Sequence, residues 1–163
     1  DQAYDMNVQD PHCIVQSPTN PDVLWCQHHN GIFKTSDHGV SWQEITDVNP
    51  SVFGFACVVD PHEADHAWFI PAIKDEKRIP CDGALVVTET KDAGQSFVMQ
   101  RSGLPQVHAY DLIYRHAFTI DKTGQHLAFG STTGNLWLSK NAGVDWVSLS
   151  AHLPPVYQVV YLE

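Results

Sequence analysis

An eight-residue pattern occurs three times in this chain and limits its fold more than any other feature. Thr35-Ser36-Asp37-His38-Gly39-Val40-Ser41-Trp42, Thr90-Lys91-Asp92-Ala93-Gly94-Gln95-Ser96-Phe97 and Ser139-Lys140-Asn141-Ala142-Gly143-Val144-Asp145-Trp146 share a hydroxyl residue, Asp or Asn two positions on, Gly two further, and a closing aromatic. A short Asp or Asn side chain accepts backbone N–H groups of its own turn, and Gly supplies a positive φ without steric cost. The aromatic then re-enters a strand and packs under the turn. The key positions are therefore Asp37, Gly39 and Trp42, then Asp92, Gly94 and Phe97, then Asn141, Gly143 and Trp146. Asp37, Asp92 and Asn141 stand 55 and 49 residues apart, close to the about 40–50 residues of one four-stranded propeller blade.

Strand-like runs precede each turn in the same order. The nearest are Gly31–Lys34, Ala84–Thr88 and Asn135–Leu138; before them come Val23–Cys26, Ala67–Ile70 and His126–Gly130; earlier still come Cys13–Val15, Phe55–Val59 and Ala117–Ile120. Turn chemistry separates the runs in SPTNPD, DPHEAD and DKTGQ. Three strands, the repeated turn and a fourth strand make a blade, and no helical periodicity of useful length competes. The predicted class is all-β: a single partial β-propeller domain over 1–163, with four-stranded antiparallel blades at 13–49, 50–101 and 112–150. The segment 156–163 reads as the inner strand of a further blade. Trp25, Trp42, Trp68, Trp137 and Trp146 fall on strands and read as core between sheets. Asn141 and Asp145 replace the Asp and hydroxyl of the first two turns, which predicts weaker hydrogen bonding in the third.

The pattern resembles the BNR, or Asp-box, repeat proteins, among them sialidases, sortilin-type receptors, xyloglucan-degrading endoglucanases and photosystem assembly factors. QHHNGIFKTSDHGVSW, FGSTTGNLW and HLPPVYQV look like bacterial BNR-repeat glycosyl hydrolase or exo-sialidase-like proteins, and the likeness runs from Cys13 to Tyr161. The resemblance implies the C-terminal three blades of a longer propeller, with the boxes on the face away from any active site. Since propellers close with about four to eight blades, open blade edges point to self-association as a homodimer.

Charge narrows the partners. Nine Lys and Arg against 19 Asp and Glu give a formal net charge of -10, which disfavours nucleic acid and anionic membranes as partners. No apolar run approaches the about 20 residues that span a bilayer. Cys13, Cys26, Cys57 and Cys81 lack metal or redox spacing and read as buried thiols, which points to a reducing, cytoplasmic compartment. No cofactor and no metal is expected: a metal reading would join His28 and His29 to His108 and His116, but adjacent strand residues point to opposite faces.

Blade topology sends the second-to-third strand loops and the inter-blade connections to the face opposite the boxes. Ligand-binding candidates there are His28, His29, Asn30, Arg78, His108, Tyr114, Arg115 and Asn135. Catalytic candidates are Asp75, Glu76 and Asp111, two of which would form an acid/base pair, and Tyr110, as the tyrosine nucleophile of sialidase-like chemistry. Arg78, Arg101 and Arg115 are the chain's three arginines, the donors an anionic sugar would select. Two function classes stay open: a sialidase or glycosyl hydrolase-like unit binding carbohydrate, and a non-catalytic protein-interaction scaffold or assembly factor. The first needs two carboxylates converging in one pocket, whereas the second needs only a broad polar and aromatic surface.

Overall fold

The computed structural model describes residues 10–162. Twelve strands form three sheets of four, each an antiparallel meander in chain order. Sheet one holds β1 (Pro11–Gln16), β2 (Leu24–His28), β3 (Gly31–Thr35) and β4 (Gln43–Ile45). Sheet two holds β5 (Gly54–Val59), β6 (Ala67–Pro71), β7 (Val87–Thr90) and β8 (Val98–Gln100), and sheet three holds β9 (Phe118–Ile120), β10 (Leu127–Gly130), β11 (Leu136–Ser139) and β12 (Val147–Ser150). The first strands β1, β5 and β9 lie side by side and line a shared groove with Cys13, Val15, Cys57, Val59, Phe118 and Ile120. Gln158 forms a parallel bridge to His116, so the chain end runs beside the entry to β9.

Burial follows from stacking order. Every residue of β5 and β6 is buried, because sheet two has a sheet on each side. In β1 exposed and covered positions alternate instead. Trp25, Ile32 and Ile45 of sheet one pack onto Cys57, Val59 and Phe69 of sheet two. Trp68, Ile70 and Val87 of sheet two meet Leu127, Phe129, Trp137 and Trp146 of sheet three. Trp42 departs from the expected core role. It is 40% exposed and lines a cavity of about 450 Å³ with Ile14, Cys26, His28 and Phe33, because that face of sheet one has no described sheet packed on it. The four cysteines are free thiols.

The three repeated turns superpose in their hydrogen bonding. Thr35 Oγ1 donates to Asp37 Oδ1 (2.7 Å) and accepts from Gly39 N–H (3.0 Å), while Ser41 gives its N–H to Asp37 Oδ1 (2.9 Å) and its O–H to Oδ2 (2.6 Å). Thr90, Asp92, Gly94 and Ser96 repeat every one of these bonds. The third turn keeps the same frame: Ser139 Oγ donates to Asn141 Oδ1 (3.0 Å), Gly143 N–H donates to Ser139 Oγ (2.9 Å) and Asp145 N–H donates to Asn141 Oδ1 (3.0 Å). Its last bond is reversed, with Asn141 Nδ2 donating to Asp145 Oδ2 at 2.9 Å. The expected weakening of the third turn is thus corrected: acceptor and donor have traded places together, and the bond survives. Two successive left-handed residues build each turn, His38–Gly39, Ala93–Gly94 and Ala142–Gly143, so the residue before the glycine carries strain that the pattern alone did not reveal.

The Ser41 hydroxyl, then the Ser41 and Thr35 bonds, hold Asp37 down to about 2. A depressed carboxylate stabilises above its unfolded pKa and loses that contribution as pH falls through its folded value, so the Asp37 contribution fades between about pH 4 and about 2. The exchange in the third turn gives a first prediction. Asn141→Asp places a carboxylate against Asp145 with no proton between them. Thermal melts at pH 7 should show a lower Tm than the wild type, and the deficit should shrink as pH falls toward about 4, where one carboxylate protonates. Adding Asp145→Ser should restore stability at pH 7 by rebuilding the arrangement of the first two turns. A single variant as stable as wild type at pH 7 would refute this reading.

Candidate functional site

The second-to-third strand loops and the inter-blade connections converge on the face away from the repeated turns. Phe53 and Phe55 enter sheet two there, and their side chains form a buried cluster with Ala72 and Leu112. A file of rings grows from this cluster, from sheet one across the start of sheet two to the connection before β9 and the chain end. His12 stacks on Phe55 at 4.3 Å, His29 meets Phe53 edge-on at 5.8 Å, Tyr114 meets Phe55 edge-on at 5.2 Å, and Tyr157 stacks on Tyr114 at 5.9 Å. Arg78 and Arg115 both lie over Phe55, their guanidinium carbons 5.2 and 5.6 Å from the ring centre.

Arg78, Tyr114, Arg115, His116 and Tyr157 line an open cleft of about 460 Å³. Tyr114 hydrogen-bonds Arg78 and, with Asp75, raises its pKa above the ordinary arginine value. Arg78 also pairs with the Asp75 carboxylate and donates its Nε–H to the Asp75 carbonyl at 3.0 Å. Among the described residues no carboxylate pairs with Arg115. The cleft therefore offers one arginine that is anchored and one whose fork is available, beside two stacked phenol rings.

Other candidates are placed elsewhere. Asp111 is buried, and its Oδ1 alone accepts Ser131 Oγ–H (2.8 Å), Asn135 Nδ2–H (2.7 Å) and the Thr133 hydroxyl. Asp111 and Asn135 thus tie the inter-blade connection to the β10–β11 turn. Glu76 is largely exposed and pairs with Lys74 at 3.6 Å. Tyr110 and His108 are exposed and do not line the cleft. Arg101 leaves the arginine group: it donates to Gln106 Oε1 at 3.0 Å and contacts Met99 Sδ, so the expected trio is a pair. His28 is buried beside Phe33, accepts the Asn30 N–H at 3.1 Å and, with Asn30, borders the cavity on the outer side of sheet one. His29 turns the opposite way, toward Asp10 and His12.

His12, Phe53, Phe55 and Tyr157 were not among the candidates read from the sequence, and His116 entered only through the metal reading. Phe55 opens a strand-like run, His12 and Phe53 stand just before such runs, and Tyr157 reaches the cleft only because the chain end folds back beside His116.

Comparison with solved structures decides the architecture. An ancestral GH74 enzyme aligns with a TM-score of 0.66 at 14% identity, covering 86% of this chain and 18% of that one. The GH74 xyloglucanase from Xanthomonas campestris gives 0.64 at 17% identity, covering 85% and 20%. YCF48 from Cyanidioschyzon merolae gives 0.56 at 15% identity, covering 88% and 41%. The fold is a stretch of β-propeller. Its three sheets are three blades, and the chain spans less than half the length of each of these neighbours. No family model and no curated protein matches the sequence.

Proposed function

We propose that this propeller unit binds an anionic carbohydrate in the cleft of Arg78, Tyr114, Arg115, His116 and Tyr157. The observation that carries this reading is the pairing of an uncommitted guanidinium with two stacked phenols in a chain of net charge -10. A planar guanidinium fork matches a sugar carboxylate in two parallel hydrogen bonds, and phenol rings pack on sugar faces. The resemblance to sialidase-like BNR proteins and the structural likeness to GH74 enzymes favour carbohydrate over other anions. Binding rather than hydrolysis is favoured by the carboxylates: Asp75 is spent on Arg78, Glu76 lies out in solvent and Asp111 holds a turn, so no two converge on the cleft.

Titration with N-acetylneuraminic acid, followed by NMR of the tyrosine and arginine resonances, tests it. The sugar should perturb Tyr114 and Tyr157, methyl glucoside should bind more weakly, and Arg115→Ala should weaken the acidic sugar about tenfold or more, about 1.4 kcal/mol. Absence of binding at millimolar sugar, or equal affinity for the neutral one, overturns the reading. Turnover of a fluorogenic sialoside that Glu76→Gln abolishes would replace binding by catalysis.

A further inference from the structure

We propose that Asp10, His12 and His29 form a binding site for one divalent transition-metal ion of the zinc class. The three ligand atoms lie within 4.8 Å of one another, and the site sits where the start of β1 meets the β2–β3 turn. Asp10 Oδ2 is 3.5 Å from His29 Nδ1 and 3.7 Å from His12 Nε2. Tetrahedral zinc, with bonds of about 2.0–2.1 Å, sets neighbouring ligand atoms about 3.3 Å apart. These spacings fit two donors sharing an ion better than they fit a hydrogen bond. The hydrogen-bonded histidine–carboxylate pairs elsewhere in the molecule close to 2.6 Å for His38–Asp22 and 2.8 Å for His126–Asp121 and His66–Glu89, and the one other long contact among the described residues, His66 Nδ1–Asp60 at 3.4 Å, belongs to a histidine already hydrogen-bonded to Glu89.

Two further features prepare the site. His12 Nδ1–H donates to the Gly54 carbonyl at 2.6 Å, which fixes the tautomer and leaves the Nε2 lone pair directed toward Asp10. A metal-binding histidine is oriented in this way by a hydrogen bond through its other nitrogen. His29 Nδ1 is itself buried and makes no hydrogen bond. Asp10 is half exposed, which leaves a path from solvent. Two imidazoles and one carboxylate suit zinc, nickel or copper rather than magnesium or calcium. An ion here would link the start of β1 to the β2–β3 turn and, through His12 and Gly54, to blade two.

The test is calorimetric titration of the intact chain with Zn²⁺ in a buffer that does not chelate, paired with thermal melts. One ion per chain should bind, Mg²⁺ should not compete, and Tm should rise with Zn²⁺. Asp10→Asn and His29→Gln, both at partly exposed positions, should keep the wild-type circular dichroism and each weaken binding about tenfold or more. The Zn²⁺-dependent rise in Tm should disappear with them, while His152→Gln, an exposed histidine outside the site, should bind as wild type does. Co²⁺ should give the visible absorption of a site with nitrogen and oxygen ligands in the wild type and lose it in the double variant. No binding at millimolar Zn²⁺, or binding undiminished in Asp10→Asn with His29→Gln, overturns the proposal.

Discussion

Replacing Trp68 by alanine is expected to remove about 4 kcal/mol of stability, in the 3–5 kcal/mol range for a fully buried large aromatic. Trp68 is 0% exposed at the centre of the core between blades two and three. Its ring lies 3.9 Å from that of His66, and Gly143 of the third turn sits so close that a Cβ there would stand 3.1 Å from the indole nitrogen. Removing the indole would leave a void that two rigid sheets cannot close, so the cost of the cavity adds to the lost transfer energy. A domain of this size has about 5–15 kcal/mol in all, so the variant should unfold at markedly lower urea, and Trp68→Phe should recover part of the loss. Since Trp25 holds the equivalent place in β2, with its indole N–H donated to the Ala64 carbonyl at 2.9 Å, Trp25→Ala should behave alike. A loss under about 1 kcal/mol in urea titrations would show that blades two and three do not share this core.

Asp111→Ala is expected to cost about 3 kcal/mol, while Asp111→Asn costs about 1 or less. All three donors to this side chain, from Ser131, Thr133 and Asn135, converge on Oδ1. An asparagine with its oxygen in that place accepts them all, whereas alanine leaves the buried Ser131 hydroxyl and the half-buried Asn135 amide without this acceptor. An acid/base or nucleophilic carboxylate would respond in the opposite way, losing function in both variants with stability unchanged. Chemical denaturation of the two variants, run beside the sugar titration, separates the roles. A stable Asp111→Ala protein that no longer recognises its ligand would return Asp111 to the site.

The contrast between Asp111 and Arg115 marks where residue-level reading stopped. Both fall in one extended connection, and a polar residue in a loop reads the same whether its partners are solvent, a ligand or its own blade. Asp111 turns inward because Ser131, Thr133 and Asn135, about 20 residues later, gather at one turn. Arg115 lies over the Phe55 ring with no carboxylate paired to it among the described residues, while Asp75 pairs with Arg78. The opposed directions of His28 and His29 did follow from strand alternation. That Asp10 and His12 would meet His29 did not, because the pairing register of β1 with β2, which sets Pro11 opposite His28, is a tertiary fact with a bulge in it.

The sequence by itself determined the repeating unit. The hydroxyl, Asx, glycine and aromatic positions act through bonds spanning two to four residues, as between Thr35, Asp37, Gly39 and Ser41, so each turn carries its own instructions, and three in phase specify three meanders. Only the tertiary structure decided which polar residues became a site. Stacking the blades brought Phe55, Arg78, Arg115 and Tyr157 from four distant segments around one cleft, and it alone placed Trp42 at an open face while Trp146, its counterpart in the third turn, was buried. Local hydrogen bonds can be read from spacing because the chain itself holds their partners near one another; contacts between blades depend on how whole sheets twist and pack.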